Sequence, residues 1–235
     1  MNILITAGGT QEPIDSVRSI TNHATGKLGA MIADAFGDCN EVSQVVYVCG
    51  KTAVLPETGK AKIVRVGSTA DLEQALGQQL MKVQPKVIVH CMAVSDYRVR
   101  QVTTVSDLQQ VNCDLAQLNR LDSGGKISSS MEDLAILLEK TPKVIAMLRG
   151  LAPESVIVGF KLLDNVSEGE LLATAKELLE ANDCDFVLAN DMKTVCSPVH
   201  CGYLLSAAGD YDYYEGKVAI SEGIVQAALG KAAQK

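Results

Sequence analysis

The chain has 235 residues, of which 47% are hydrophobic and 21% charged, and its formal net charge is −7. This length and composition predict a folded globular chain with a substantial core. The acidic balance argues against a nucleic-acid or anionic-membrane partner, although backbone amides and a few lysines can still hold a small anion. No apolar run approaches the roughly 18 residues of a membrane helix. The seven cysteines lack C-x-x-C spacing, so we expect reduced thiols and a cytoplasmic location.

Six apolar runs predict the strands of one sheet. They are continuously apolar rather than alternating, as expected for strands that are buried on both faces of a parallel sheet. In chain order they lie at residues 2–6, 44–49, 62–66, 86–91, 156–161 and 185–189.

Helical patterns fall between these strands. Apolar residues spaced three and four apart predict helices at 25–36 and 69–82. Ser167 with Glu170 predicts a capping box at the start of a third helix, and Thr141-Pro142 predicts an N-cap followed by proline at the start of another. The alternation predicts an α/β fold: a doubly wound, mostly parallel, Rossmann-like sheet within a single domain, 1–235.

Two stretches interrupt the alternation. Residues 98–130 contain one weak helical pattern and the pair Gly124-Gly125, and we interpret this long insertion as a flap. Residues 203–218 predict a β-hairpin, and a last helix is expected at about 220–233.

Small and polar residues follow several of the predicted strands. They occur at 7–10, 92–97, 159–161 and 189–191. Ligands of open parallel sheets bind beyond the carboxyl ends of the strands. We therefore expect the functional site at that edge of the sheet.

Two common nucleotide signatures are absent from the first crossover. There is no G-x-G-x-x-G turn, and the second predicted strand ends in Cys49-Gly50-Lys51 without an acidic residue. Gly26-Lys27 lacks the spacing of a phosphate-binding P-loop. The remaining feature is Gly26 at the N-terminus of the predicted helix. A helix N-terminus suits a phosphate, although Gly26 could equally serve close helix–sheet packing.

A long block of sequence carries a family resemblance. Residues 6–29, TAGGTQEPIDSVRSITNHATGKLG, are similar to the opening signature of the phosphopantothenoylcysteine synthetases. Shorter blocks follow in the order that this family shows, and the resemblance covers about residues 2–191. The chain most resembles stand-alone bacterial members, which lack the fused flavin decarboxylase domain. The shorter blocks lie at 93–97, 126–129, 140–143, 159–160 and 189–191.

This resemblance implies a reaction. Its members couple 4′-phosphopantothenate to L-cysteine through an acyl-nucleotide, a step of coenzyme A biosynthesis. Bacterial members generally use CTP, so we expect Mg²⁺ with CTP, and ATP is the less favoured alternative. The family further implies a homodimer.

The resemblance also assigns roles to residues. Asn22 matches the asparagine that engages the acyl-phosphate group, and Lys126 matches a catalytic lysine of the flap that also contacts nucleotide. Asn190 and Asp191 are candidates for ribose or metal binding, with loop capping as the alternative, and the sequence identifies no metal ligands. The other nucleotide-binding positions are Gly8, Gly9, Thr10, Asp96, Pro142, Lys143, Val144, Ile145 and Phe160. Substrate or phosphate binding is expected at Asn22, Gly26, Lys27 and Ala93.

The chain departs from the family pattern in one helix. Leu178 and Asn182 stand where bifunctional bacterial members carry lysines. Two other functions remain open: a short-chain NAD(P)H-dependent reductase and a non-catalytic nucleotide-binding module. The missing dinucleotide signature weighs against the first, and an inert Lys126 would favour the second.

Overall fold

A computed structural model describes residues 1–112, 117–118, 121, 123–131, 133–195 and 199–235. These residues form twelve strands and seven helices. The strands are β1 Asn2–Gly9, β2 Gln11–Pro13, β3 Ser19–Thr21, β4 Gln44–Gly50, β5 Ala61–Val66, β6 Val87–Ala93, β7 Tyr97–Thr104, β8 Leu134–Lys140, β9 Val156–Leu163, β10 Phe186–Asp191, β11 Cys201–Ser206 and β12 Tyr211–Glu215. The helices are α1 Lys27–Gly37, α2 Thr69–Val83, α3 Val105–Gln110, α4 Val144–Leu151, α5 Glu168–Ala181, α6 Met192–Val195 and α7 Lys217–Ala232.

Eight strands form the central sheet, in the order β12-β11-β10-β9-β6-β1-β4-β5. Strands β5 to β10 of this order are parallel, and β11 and β12 add an antiparallel hairpin at one edge. The predicted mostly parallel sheet and C-terminal hairpin are confirmed. The six predicted strands match β1, β4, β5, β6, β9 and β10.

Both faces of the sheet are covered, as the continuously apolar strands predict. Alternate residues of a strand point to opposite faces. Ile3 and Ile5 of β1 pack with α1 and α7, whereas Leu4 packs with α2, α4 and α5 on the other face. The sheet is therefore doubly wound, and none of the described helices has the length and apolar character to cross a bilayer.

Two predicted helix starts are wrong. The first helix begins at Lys27 with Gly26 as its N-cap, two residues after Thr25. Helix α4 begins at Val144 with Lys143 as its N-cap, so Thr141 does not cap it. The Thr141 hydroxyl instead donates to the Ser95 carbonyl at 2.5 Å, which ties the loop before α4 to the loop after β6.

The flap region contains strands that the sequence pattern did not predict. β7 and β8 form a separate two-stranded antiparallel ribbon that pairs Tyr97 with Lys140 and Thr104 with Leu134. Helix α3 covers part of the weak helical pattern, and residues 113–116 of that pattern lie outside the described residues.

Candidate functional site

The site is built around the switch point of the sheet. β1 lies between β4 and β6 in the sheet. The crossover from β1 leads to β4 on one side and the crossover from β5 leads to β6 on the other, so a crevice opens beyond the carboxyl end of β1. Gly9 pairs with Ala93 there. The Thr10 amide donates to the Ala93 carbonyl at 3.2 Å, and the Ser95 amide donates to the Thr10 hydroxyl at 2.9 Å. Thr10 is fully buried, so it braces the two loops against each other.

The glycines of the first loop allow close chain packing. Gly8 has φ 80°, and a Cβ there would lie 2.7 Å from the Ala53 Cβ. Gly26 has φ 74°, and its Cβ would lie 3.1 Å from the Gly8 amide nitrogen. Side chains at these positions would therefore clash and strain the backbone. These contacts agree with close helix–sheet packing, the alternative role of Gly26. The phosphate-binding role of Gly8 and Gly26 stays a prediction.

Asn22 lies next to the carboxyl end of β6. A Cβ on Gly9 would lie 2.9 Å from the Asn22 carbonyl oxygen, so the two segments are in close contact. The Asn22 amide donates a long, 3.4 Å hydrogen bond to the Val94 carbonyl, and the residue is exposed. Lys27 is also exposed, at the start of α1. Asn22 can thus offer its amide donors to a ligand beside Ala93.

Beside this switch point is an open cleft of about 140 Å³ between β6, β9, α4 and α5. It gathers six of the predicted nucleotide-binding residues from three separate parts of the sequence. Those six are Asp96, Pro142, Lys143, Val144, Ile145 and Phe160; the other lining residues are His90, Met92, Val94, Ser95 and Leu178.

The cleft has a charged mouth and a mainly apolar interior. The Lys143 ammonium lies 2.5 Å from Asp96, and both side chains are well exposed, at 70% and 63%. His90 lies in the interior and is only 7% exposed. Its Nδ1 is 2.9 Å from the Thr6 hydroxyl, and burial lowers the pKa of the imidazole to about 4. Apolar lining with a few polar groups at the mouth is typical of a small-molecule site.

Lys126 does not line this cleft. It is exposed, and its neighbour Ile127 is held by the loop after β2, where the Asp15 carboxylate accepts from the Ile127 amide at 3.1 Å. Arg18 donates to the Ile127 carbonyl at 2.5 Å. Hydrogen bonding from the Val17 amide is the largest influence on Asp15, and together with the Arg18 and Ile127 amides it lowers the pKa of that carboxyl despite burial.

Asn190 and Asp191 also lie outside the cleft, and both brace loops. The Asn190 amide donates to the Cys201 carbonyl at 2.7 Å. The Asp191 carboxylate accepts from the amides of Asn165, Val166 and Lys193 at 2.8–3.2 Å. These contacts match the loop-capping alternative. Within the described ranges, no group of three or more His, Cys, Asp or Glu side chains could hold a metal ion.

The predicted site residues did not include His90, Met92 or Val94, which line the cleft, although the segment 92–97 was placed at the functional edge of the sheet. A usable signal was present, because His90 is a polar residue inside the apolar run 86–91. The alternation of a strand then directs residues 90, 92 and 94 to one face.

The sequence is similar to those of known proteins over most of its length. The family described as the DNA/pantothenate metabolism flavoprotein C-terminal domain matches residues 1–119. The coenzyme A biosynthesis bifunctional protein CoaBC of Thermococcus kodakarensis is 32% identical over 191 residues, which are 81% of this chain. The chain spans only 41% of the length of that relative.

Solved structures are similar to this chain over nearly its whole length. A DNA/pantothenate metabolism flavoprotein from Streptococcus pneumoniae is 32% identical with a TM-score of 0.88, covering 98% of this chain and 99% of that one. A mutant of Cab2 in complex with phosphopantothenate-cysteine is 19% identical with a TM-score of 0.72, covering 99% of this chain and 86% of that one. The second likeness concerns the fold alone.

Proposed function

The chain belongs to the family of DNA/pantothenate metabolism flavoprotein C-terminal domains, the phosphopantothenoylcysteine synthetases, and we propose that it ligates 4′-phosphopantothenate to L-cysteine. A nucleoside triphosphate drives the reaction. The observation that carries this proposal is the cleft, because it joins six expected nucleotide-binding residues beside the switch point where Asn22 and Ala93 lie.

The proposed chemistry has two steps. An oxygen of the phosphopantothenate carboxylate attacks the α-phosphorus, the bond to the β-phosphate oxygen breaks, and pyrophosphate leaves. The cysteine amine then attacks the acyl carbon and loses a proton, while the carbon–oxygen bond breaks and releases the nucleoside monophosphate. Both steps depend on alignment and on stabilising negative charge more than on a protein nucleophile. The neutral amide of Asn22 supplies two N–H donors without adding charge.

CTP is the proposed nucleotide, and ATP is the alternative. Apolar side chains of Met92, Ile145, Phe160 and Leu178 line the cleft and offer surfaces for a flat base. Leu178, where bifunctional relatives carry a lysine, adds apolar surface. Among the described residues that line the cleft, Lys143 at the mouth is the cation that can meet phosphate charge.

Mg²⁺ is proposed to arrive with the triphosphate. Protein sites for Mg²⁺ commonly use one or two carboxylates together with substrate phosphates. The exposed carboxylate of Asp96 at the mouth fits this arrangement. The ion, when bound, neutralises charge on the phosphates.

The functional unit is proposed to be a homodimer. The ribbon of β7 and β8 leaves Leu134, Ile136 and Leu138 between 37% and 46% exposed along one strand. Such a row of apolar side chains suits burial against a second copy. Light scattering tests this: we expect a dimer at micromolar concentration that Ile136→Asp weakens, and an active monomer would contradict it.

The ligase proposal is tested by pyrophosphate release. The purified chain is incubated with Mg²⁺, phosphopantothenate, cysteine and either CTP or ATP. We expect release that requires phosphopantothenate and is faster with CTP. No release with either nucleotide would contradict the proposal and favour a non-catalytic binding module.

A further inference from the structure

The cleft contains a buried imidazole that the proposed ligase chemistry does not use. His90 lies on β6 between Ile88 and Met92, on the sheet face covered by α4 and α5. The charged groups of Asp96 and Lys143 are at the exposed mouth. His90 is instead in the interior, where a ligand ring would be surrounded by apolar side chains.

Thr6 determines which nitrogen of His90 carries the proton. Its hydroxyl is fully buried, and among the described residues the contact with His90 Nδ1 is the hydrogen bond that it makes. If Nδ1 donated to Thr6, the hydroxyl proton would be buried without an acceptor, which is costly. The favoured arrangement therefore has Thr6 donating to Nδ1 and the hydrogen of His90 on Nε2.

Burial keeps this ring neutral. It lowers the pKa of His90 to about 4, so the imidazole is uncharged at physiological pH. A neutral Nε2–H is a single fixed donor, and a ligand that meets it must present an acceptor.

We propose that His90 selects the nucleobase by donating its Nε2–H to a ring acceptor such as N3 of cytosine. The inference rests on the proposed function and adds a specificity-determining residue to it. Uracil carries a hydrogen on N3, so two donors would face each other and leave a buried group unpaired. Phe160 and Leu178 supply apolar surface for the ring but cannot distinguish these two pyrimidines.

The test is the ratio of kcat/KM for CTP to that for UTP, measured by phosphopantothenate-dependent pyrophosphate release. This ratio is independent of how much of a variant is folded. We expect the wild type to prefer CTP by about tenfold or more, and His90→Ala to reduce the preference to about threefold or less with KM for cysteine unchanged. Thr6→Val, which removes the partner of Nδ1, should give an intermediate ratio.

His200→Gln is the matched control. His200 is also buried, but it lies on the C-terminal hairpin side and contacts Asn190 rather than the cleft. We expect it to retain the wild-type ratio. A wild-type ratio in His90→Ala, with an active wild type, would overturn the inference alone, whereas a wild type inactive with every nucleotide would overturn the proposed ligase function.

A second measurement covers the case in which His90→Ala does not fold. ¹⁵N NMR of the wild-type protein reports the tautomer of each histidine. We expect the His90 hydrogen on Nε2, with a shift of its resonance on adding CTP that exceeds the shift on adding UTP. A hydrogen on Nδ1, or equal shifts with both nucleotides, would overturn the proposal.

Discussion

The two ends of the parallel sheet use their carboxylates differently. At the amino end, Asp185 is 8% exposed and accepts from the Ile157 amide and Arg149 at 2.8–2.9 Å, and Lys235 pairs with it at 2.9 Å. At the carboxyl end, Asp96 is paired in the described residues with the exposed Lys143. The Asp185 carboxylate is fully engaged in holding strands and helices together. The Asp96 carboxylate can instead exchange Lys143 for a ligand.

Asn190 and Asp191 show that position in the sheet is not sufficient. They also lie at the carboxyl end, yet their polar atoms are engaged by backbone groups of neighbouring loops. A polar residue after a strand can serve a ligand where the loops leave its atoms free.

The largest effect on turnover is expected from Asn22→Asp. The substitution replaces amide donors by a negative charge beside the developing anion, so kcat should fall by about 10²–10³-fold. Pyrophosphate release measures the loss, and the thermal midpoint should be unchanged because Asn22 is exposed. Wild-type turnover would remove Asn22 from the mechanism.

At the other end of the sheet, Asp185→Asn should impair stability instead. It leaves Arg149 and Lys235 without their shared carboxylate, and breaking a buried pair is strongly destabilising. Since Lys235 stays partly exposed, we expect a loss of about 2–3 kcal/mol in the free energy of unfolding, measured in urea. KM for the nucleotide should not change. A large rise in KM would contradict the assignment of stability to the amino end and of ligand binding to the carboxyl end of the sheet.

The same carboxylate predicts a pH dependence. Burial acts to raise the pKa of Asp185, but hydrogen bonds from the Ile157 amide, Lys235 and Arg149 outweigh it and hold the pKa below its usual value of 3.8. A lowered folded-state pKa stabilises the protein above the unfolded value, and this stability is lost as pH falls through the folded value. Thermal midpoints between about pH 5 and 2 should therefore fall less steeply in Asp185→Asn than in the wild type. Equal slopes would contradict this.

Asp96→Asn should affect binding with little change in stability. Its ion pair is exposed, so its loss should cost at most about 0.5 kcal/mol of stability. Loss of the carboxylate at the mouth should raise KM for the nucleotide by about 10–100-fold, because an interaction made by a charged group contributes about 1.5–3 kcal/mol. Initial rates at varied CTP measure this, and an unchanged KM would place the nucleotide elsewhere.

The smallest effect on activity is expected from Asp191→Ala. The change removes the acceptor of three loop amides, so the thermal midpoint should fall by about 2–4 °C. KM for CTP should stay within about twofold of the wild type, a change too small to signify a lost hydrogen bond. A rise like that of Asp96→Asn would instead support the ribose or metal role.

Much of the sheet was predictable because its strands are buried on both faces. Continuous apolar runs such as 44–49 and 156–161 have few other interpretations. The ribbon was not predictable in this way, since Tyr97 pairs with Lys140 across more than forty residues and its strands are partly exposed. The start of α4 was misassigned because Thr141 uses its hydroxyl in a tertiary contact that no local pattern reveals.

Some residues of the site were likewise predictable from the sequence and others were not. Asp96, Lys143 and Phe160 were identified through the family resemblance, and the structure brings them together in one cleft. His90 belongs to no motif in the sequence. Its significance depends on the pairing of β1 with β6, which sets it opposite Thr6.

Transfer of ¹⁸O from the carboxylate shows whether activation occurs at the α-phosphate of the nucleotide. Phosphopantothenate labelled in its carboxylate is turned over with CTP and cysteine, and the products are analysed by mass spectrometry. The acyl-nucleotide route predicts one ¹⁸O atom in the released CMP and none in pyrophosphate. Label in inorganic phosphate, or none in CMP during turnover, would rule out the acyl-nucleotide route.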